Sequence, residues 1–296
     1  MRAILLTGKN GQIGWELQRT LQPLGKVIAV GSEQLDLNEP DMIRRVVREI
    51  SPDIIVNAAA YTDVDKAESE PGLAHAINGV APGILAEEAK RLDAWLVHYS
   101  TDYVFDGKKS DAYLETDEPN PLNVYGRTKL AGEHAITEIG GKHLILRTSW
   151  IYGARGRNFL LTMLCLAKER SELRIVNDQI GAPTWSRMIA EMTSQILAQL
   201  HAPGGGVGEG LSGIYHLTAQ GAVSWYDFAQ AIFELAAVEQ KPSLVSISSA
   251  EYPVAACRPS NSRLDNGYLH RVFGLNAGDW DKSLELCCEE LNPIWL

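Results

Sequence analysis

The stretch Arg2-Ala3-Ile4-Leu5-Leu6-Thr7-Gly8-Lys9-Asn10-Gly11-Gln12-Ile13-Gly14 decides how the rest of the chain is read. Residues 2–7 form a short apolar run, and after the glycines Trp15, Leu17 and Leu21 recur at helical spacing. The reading is strand, glycine turn, helix. Glycines there let the backbone approach a pyrophosphate, whose charge is met by free N–H groups at the helix N-terminus. The spacing of Gly8, Gly11 and Gly14 is GxxGxxG rather than GxGxxG, and such a turn can be nothing more than a tight loop. Its place directly after the first strand favours nucleotide binding.

The pattern repeats downstream. A second strand over residues 26–30 ends at Gly31-Ser32-Glu33, where dinucleotide folds place the residue that reads the adenosine ribose. An acid there favours NAD and an arginine favours NADP. Neither follows the strand immediately, while Glu33 and Lys9 pull in opposite directions, so both cofactors stay open. Asp36, between Leu35 and Leu37, either accepts from an adenine amino group or caps the turn before a helix over residues 39–50. A third strand over residues 53–57 leads into Ala58-Ala59-Ala60, small enough for a flat group to lie close or simply for tight packing. Residues 61–65 then lead into one long helix to about residue 92, and a fourth strand, 94–99, carries Ser100-Thr101-Asp102 at its end.

Strands alternating with helices at this rhythm indicate an α/β fold, a doubly wound parallel Rossmann sheet whose ligands sit beyond the carboxyl ends of the strands. Residues 1–150 are expected to form the dinucleotide-binding domain. Residues 151–296 are expected to be mainly a smaller α/β substrate-binding domain, with some segments returning to the first.

After a polar loop over residues 106–121 comes Tyr125-Gly126-Arg127-Thr128-Lys129. Four residues apart on a helix, Tyr125 and Lys129 share a face. A phenol with a reference pKa of about 10 keeps its proton at neutrality, and a nearby ammonium lowers that value. The same spacing also occurs on solvated helix faces. A fifth strand over residues 143–147 ends in Thr148-Ser149-Trp150. Beyond it the expected elements are helices at 158–169, 185–200, 225–237 and 282–291, strands at 173–176 and 214–217, and a flexible loop around Gly204-Gly205-Gly206.

With 296 residues, 45% hydrophobic and 22% charged, the chain has room for about two domains and a large core. A formal net charge of -10 argues against sequence-independent nucleic-acid binding, which needs a dense Lys/Arg surface. The opening apolar run is too short for a signal-peptide core or a membrane span, so a cytoplasmic protein without a membrane partner is expected. Cys165, Cys257, Cys287 and Cys288 lack metal-ligand spacing and read as reduced structural thiols.

Taken in order, Thr7-Gly8-x-x-Gly11-x-x-Gly14, Asn57-Ala58-Ala59, Ser100-Thr101 and Tyr125-x-x-x-Lys129 resemble the extended short-chain dehydrogenase/reductase superfamily. Ser100-Thr101-Asp102-Tyr103-Val104-Phe105-x-Gly107, Pro121-Leu122-Asn123-Val124-Tyr125-Gly126, Asn177-Asp178-Gln179-x-Gly181-x-Pro183-Thr184 and Arg258-Pro259-x-Asn261-Ser262 narrow the likeness. They resemble the dTDP-4-dehydrorhamnose reductase family nearly end to end. The resemblance implies reduction of a 4-keto deoxysugar nucleotide with NADPH or NADH, by a monomer or homodimer. It makes Tyr125 the general acid, Lys129 the residue holding the nicotinamide ribose, and Thr101 the partner of the carbonyl oxygen. Gly11, Gln12, Ile13, Asp36, Leu37, Ala59, Ala60, Tyr61 and Thr62 are implied along the dinucleotide. Asp102, Tyr103 and Trp150 are implied at the sugar nucleotide, and Arg258 at its pyrophosphate.

The family is described with Mg2+, in some members bridging carboxylates between subunits. Glu16 matches one such carboxylate, but Arg187 stands where another is needed, so a metal-bridged dimer is not expected. Sister 4,6-dehydratases use a Glu where this chain has Tyr103, which argues against dehydration. A sugar-nucleotide 4-epimerase and a non-catalytic subunit of the methionine adenosyltransferase beta type remain as alternatives.

Overall fold

The computed structural model describes residues 1–201, 210–236, 238 and 241–295, with side chains of the last helix as far as Leu291. The glycine run at 204–206 lies outside the described residues. In the first half, β1 (Ala3–Thr7), α1 (Gln12–Thr20), β2 (Lys26–Val30), α2 (Pro40–Ile50) and β3 (Ile54–Asn57) alternate as expected. Three short segments follow, α3 (Val64–Ser69), α4 (Pro71–His75) and a π turn (Ala76–Val80), and then α5 (Ala81–Arg91), β4 (Trp95–Thr101), α6 (Val124–Ile139) and β5 (His143–Thr148).

The second half holds β6 (Ile151–Tyr152), α7 (Phe159–Ala167), β7 (Glu172–Val176), β8 (Ile180–Gly181), β9 (Thr184–Trp185) and α8 (Ser186–Leu200). It continues with β10 (Gly213–His216), β11 (Val223–Ser224), α9 (Trp225–Leu235), β12 (Ser243–Ile247), α10 (Gly267–Phe273) and α11 (Trp280–Trp295).

The main sheet is parallel throughout, in the order β2-β1-β3-β4-β5-β10. Its strands are apolar on both faces, as burial between two helical layers requires. Ile4, Leu6, Val56, Val97 and Leu146 face one layer, and Leu5, Ile55, Leu96 and Ile145 the other. α8 packs on α1 over the first face, while α2, α5 and α6 pack side by side on the second. The first face merges with the apolar side chains of α7, α9, α10 and α11 into one continuous core. From β1 the chain turns to β2 and then crosses back to β3, so a crevice opens beyond the carboxyl ends of β1 and β3.

The long helix expected over residues 61–92 is broken instead. Pro71 lacks an N–H and drives Glu70 out of helical geometry, to φ -123° and ψ 49°. Pro82 removes a second donor, and the turn before it widens into the π segment. That turn buries Asn78, whose carboxamide accepts from Tyr61 N at 2.9 Å and donates to Tyr61 O at 3.0 Å. The apparent defect therefore anchors the loop after β3.

Candidate active site

A cleft of about 700 Å³ runs along the carboxyl edge of the sheet, walled by Gly8 and residues 10–13, the 31–37 turn, residues 58–60, residues 100–103, Tyr125 and residues 148–151. The glycine turn fits a pyrophosphate. Gly8 has φ +73° and lies so near Ala58 and Ala59 that a Cβ would come within 2.8 Å of their backbone. Gly14 does not line the cleft; it lets α1 rest on the turn, since a Cβ there would meet Gly8 O at 2.0 Å. Gly11 caps α1 without a side-chain hydrogen bond, leaving the helix terminus to an incoming anion. Gln12 reaches across, with Asn158 Nδ2 donating to its Oε1 at 3.0 Å.

At the end of β2, Lys9 Nζ pairs with Glu33 Oε1 at 2.7 Å and donates to Gln34 Oε1 at 2.7 Å. The two opposite charges beside the end of β2 thus neutralise each other. Asp36 both lines the cleft and caps its turn, accepting from Asn38 N at 2.9 Å. Leu37, Ala59, Ala60 and Thr62 line the wall. Tyr61 stands behind it, its hydroxyl donating to Glu70 Oε2 at 2.7 Å.

The start of α6 is fixed from two sides. Asn123 Oδ1 accepts from Gly126 N at 2.8 Å, and Glu68 Oε1 accepts from Val124 N at 2.7 Å, satisfying two of the open N–H groups of the first turn. Gly126 lets the helix sit directly on the Asp102–Val104 turn, for a Cβ there would lie 2.1 Å from Tyr103 O. Tyr125 is thereby set beside Thr101, Asp102 and Tyr103. The Tyr103 and Tyr125 rings meet edge to face at 5.9 Å.

Thr101 Oγ1 donates to Asp102 Oδ1 at 3.0 Å and accepts from Tyr103 N at 3.1 Å. Asp102 Oδ2 is buried with no hydrogen-bond partner. Burial pushes the Asp102 carboxyl up to about 7, against hydrogen bonds from Ser262 and Thr101. Burial and the Asp102 charge push the Tyr125 phenol up to about 12, with a hydrogen bond to Thr101 opposing them.

Lys129 departs from the simple expectation drawn from its spacing. Its ammonium is turned into the sheet, donating to Tyr99 O at 2.6 Å and lying 3.1 Å from His98 Nε2. Sharing a helix face with Tyr125 does not make it the main influence on the phenol, because the Tyr99 carbonyl and the His98 ring hold the amine first. Burial lowers Lys129 to about 8, with Glu133 opposing.

On the far wall Trp150 has φ +46°, a conformation that costs a non-glycine residue of order 1–3 kcal/mol. It is held by stacking on Trp225 at 3.5 Å, and it lies on Gly181, where a Cβ would meet the indole at 2.5 Å. Trp225, Asn78 and His98 carried no motif in the sequence. The nearest signal was helical spacing after Ser224, which finds the helix but not the stack.

Arg258 does not line the cleft. Its Nη2 pairs with Asp65 Oδ2 at 2.7 Å, and its charge acts on the phenol of Tyr103, which lines the cleft. Residues 258–262 are drawn there by Ile180, whose N donates to Ser260 O at 2.8 Å and whose O accepts from Ser262 N at 2.7 Å.

The family model for the RmlD substrate binding domain matches residues 1–292. A dTDP-4-dehydrorhamnose reductase of Burkholderia thailandensis is 48% identical over 294 residues, covering 97% of this chain and 98% of that protein. The chain belongs to the dTDP-4-dehydrorhamnose reductase family. A reductase of Escherichia coli K12 is 47% identical over 297 residues, covering 97% of each chain. The crystal structure of a Bacillus anthracis dTDP-4-dehydrorhamnose reductase in complex with NADP superposes with a TM-score of 0.89 at 37% identity, over 98% of this chain and 99% of that one. A Thermus thermophilus UDP-glucose 4-epimerase in complex with NAD shares the fold, with a TM-score of 0.78 at 18% identity over 97% of this chain and 98% of that one.

The Mg2+ associated with dTDP-4-dehydrorhamnose reductases has a poor site at Glu16. Arg187 places its guanidinium on Glu16 at 3.2 Å and on Glu290 at 2.6 Å, so a cation already occupies the electrostatic position. Among the described residues no helix is long and apolar enough to cross a membrane.

Proposed function

We propose that this chain reduces dTDP-4-dehydro-6-deoxy-L-mannose (dTDP-4-dehydro-L-rhamnose) to dTDP-L-rhamnose with NADPH or NADH, the last step of dTDP-rhamnose biosynthesis. NAD(P)H, when bound in the cleft, supplies the hydride. The protein's share is to align donor and ketone and to deliver a proton. The terminus of α1 with Gly8, Gly11, Gln12 and Ile13 takes the pyrophosphate, Asp36 and Leu37 flank the adenosine, and residues 59–62 flank the remainder. Residues 1–150 carry this part, and most of 151–296 holds the sugar nucleotide, while β10 and α8 pack with the first half.

Lys129 holds the nicotinamide ribose. Thr101 turns its one hydroxyl proton from Asp102 to the C4 carbonyl oxygen when the substrate binds, and Tyr125 gives its proton to the developing alkoxide. A phenol near 12 is fully protonated at neutrality, and an alkoxide is more basic than any phenolate, so the transfer still runs downhill. Asp102, Tyr103 and Trp150 face the sugar, and Arg258 serves its pyrophosphate once the guanidinium exchanges Asp65 for the ligand.

The observation that carries the reading is Asp102 Oδ2, a buried carboxylate oxygen without a partner beside Thr101 and Tyr125, where a polar ligand completes the cluster. Incubation with dTDP-4-dehydro-L-rhamnose and NADPH tests it. Stoichiometric loss of nicotinamide absorbance with formation of dTDP-L-rhamnose is expected. Interconversion without net NADPH consumption would mean an epimerase, and binding without turnover a non-catalytic subunit.

A further inference from the structure

Lys129 is 2% exposed and forms no ion pair among the described residues. The nearest carboxylate on its helix, Glu133, is bound by Arg147 at 2.6 Å and by Ser100. Of the other charged or titratable groups packed around this end of α6, Asp102 accepts from Thr101, and Tyr125 and Tyr103 are phenols. What meets the lysine amine is the Tyr99 carbonyl and one nitrogen of His98. His98 is itself 1% exposed and held well below its usual pKa by burial and by Lys129, so its ring is neutral.

The ring's other nitrogen, Nδ1, lies 3.0 Å from Asn57 Nδ2. Asn57 meets Thr7 Oγ1 at 2.7 Å, and Thr7 Oγ1 accepts from Ala59 N at 3.3 Å. One hydrogen-bonded chain therefore crosses β4, β3 and β1, from the lysine to the crevice wall.

We propose that His98 is a positioning residue, accepting from the Lys129 ammonium and tying the lysine's charge to the dinucleotide crevice through Asn57 and Thr7. Donor counting gives the chain two polarities. An ammonium needs a lone pair on Nε2, which places the ring proton on Nδ1 and requires Asn57 to turn its oxygen toward the ring and its Nδ2 toward Thr7 Oγ1, a half-turn from the orientation seen here. A neutral amine can accept from Nε2–H, and it matches the carboxamide as it stands, with Asn57 Nδ2 donating to Nδ1 and Asn57 Oδ1 accepting from Thr7. The ring is thus the part that lets a buried, unpaired lysine keep its charge at the cofactor.

The test rests on Lys129 serving a nicotinamide cofactor, and it reads NADPH binding alone by fluorescence across a pH series spanning the lysine titration. In the wild type, affinity should fall as pH rises past about 8, where Lys129 discharges. A hydrogen bond to a charged group is strong enough that losing it lowers the lysine's pKa by about one unit. His98→Leu should therefore move the midpoint down by about one pH unit. His98→Gln, which keeps an acceptor, should restore most of it. If the leucine variant does not fold, His98→Met fills the space with a flexible side chain lacking a nitrogen acceptor and carries the same expectation. A midpoint that stays put in the apolar variant overturns the proposal, as does an equal loss of affinity at every pH, which would assign the ring to packing. Wild-type protein with no NADPH affinity would overturn the cofactor reading along with it.

Discussion

Asp102→Asn should make the protein more stable at alkaline pH while damaging its site. Burial raises the carboxyl from an ordinary 3.8 to about 7. In that window the folded state holds a proton that the unfolded state has released. Stability from this group is therefore full below about pH 4, falls as pH climbs toward 7, and is lowest above it. About three units at about 1.4 kcal/mol each set a ceiling of about 4 kcal/mol, and relaxation around the charge brings the expectation to roughly 2–4 kcal/mol. Asparagine keeps the shape and an acceptor for Thr101 but never ionises.

Urea unfolding of both proteins at about pH 4 and at a mildly alkaline pH isolates the effect, because other titrating groups are common to both. The variant should match the wild type within about 1 kcal/mol at the acidic value and exceed it by the full amount at the alkaline one. Parallel pH profiles would refute the reasoning, since they would mean that Oδ2 is as well solvated folded as unfolded.

Arg258→Ala should raise KM for the sugar nucleotide by roughly 10- to 100-fold, the worth of a charge-assisted hydrogen bond, with kcat and cofactor KM nearly unchanged. A substrate KM within twofold would leave Arg258 as the partner of Asp65 only. Wild-type kcat/KM with NADH and NADPH should agree within about tenfold, because Lys9 and Glu33 neutralise each other beside the end of β2. Glu33→Gln should release Lys9 and shift the ratio toward NADPH by several-fold, as steady-state kinetics with each cofactor will show. Gly126→Ala puts a Cβ 2.1 Å from Tyr103 O, so thermal unfolding should register a loss of about 1–3 kcal/mol together with reduced turnover. Unaltered turnover in that variant would mean that α6 does not need its seat on the Asp102–Val104 turn.

The motifs were legible because they are backbone requirements written as residue types. Gly8 and Gly14 mark close approaches that no side chain allows, and the apolar runs of β1, β3, β4 and β5 mark strands buried on both faces. Thr101 and Asp102 stand together at the carboxyl end of β4, and Tyr125 joins them because Gly126 seats the first turn of α6 on the Asp102–Val104 turn. What sequence could not supply was competition for partners. Tyr125 and Lys129 share a helix face, yet which group claims the lysine depends on Tyr99 and His98, which arrive from another strand. Arg258 is similar, its guanidinium claimed by Asp65 from nearly two hundred residues away in sequence. The single helix expected over residues 61–92 is broken at Pro71 and Pro82, each of which removes a backbone donor. The Trp150–Trp225 stack joins two segments with no shared pattern.

The central claim is that Tyr125 protonates the sugar alkoxide within the Thr101–Asp102 cluster. Its most direct test is single-turnover oxidation of bound NADPH by dTDP-4-dehydro-L-rhamnose, comparing wild type with Tyr125→Phe. General acid catalysis contributes about 10²- to 10⁴-fold, so the phenylalanine variant should lose that much of the hydride-transfer rate while binding NADPH with nearly wild-type affinity. A variant that keeps more than about a third of the single-turnover rate would contradict the account and move the proton donor elsewhere in the cleft.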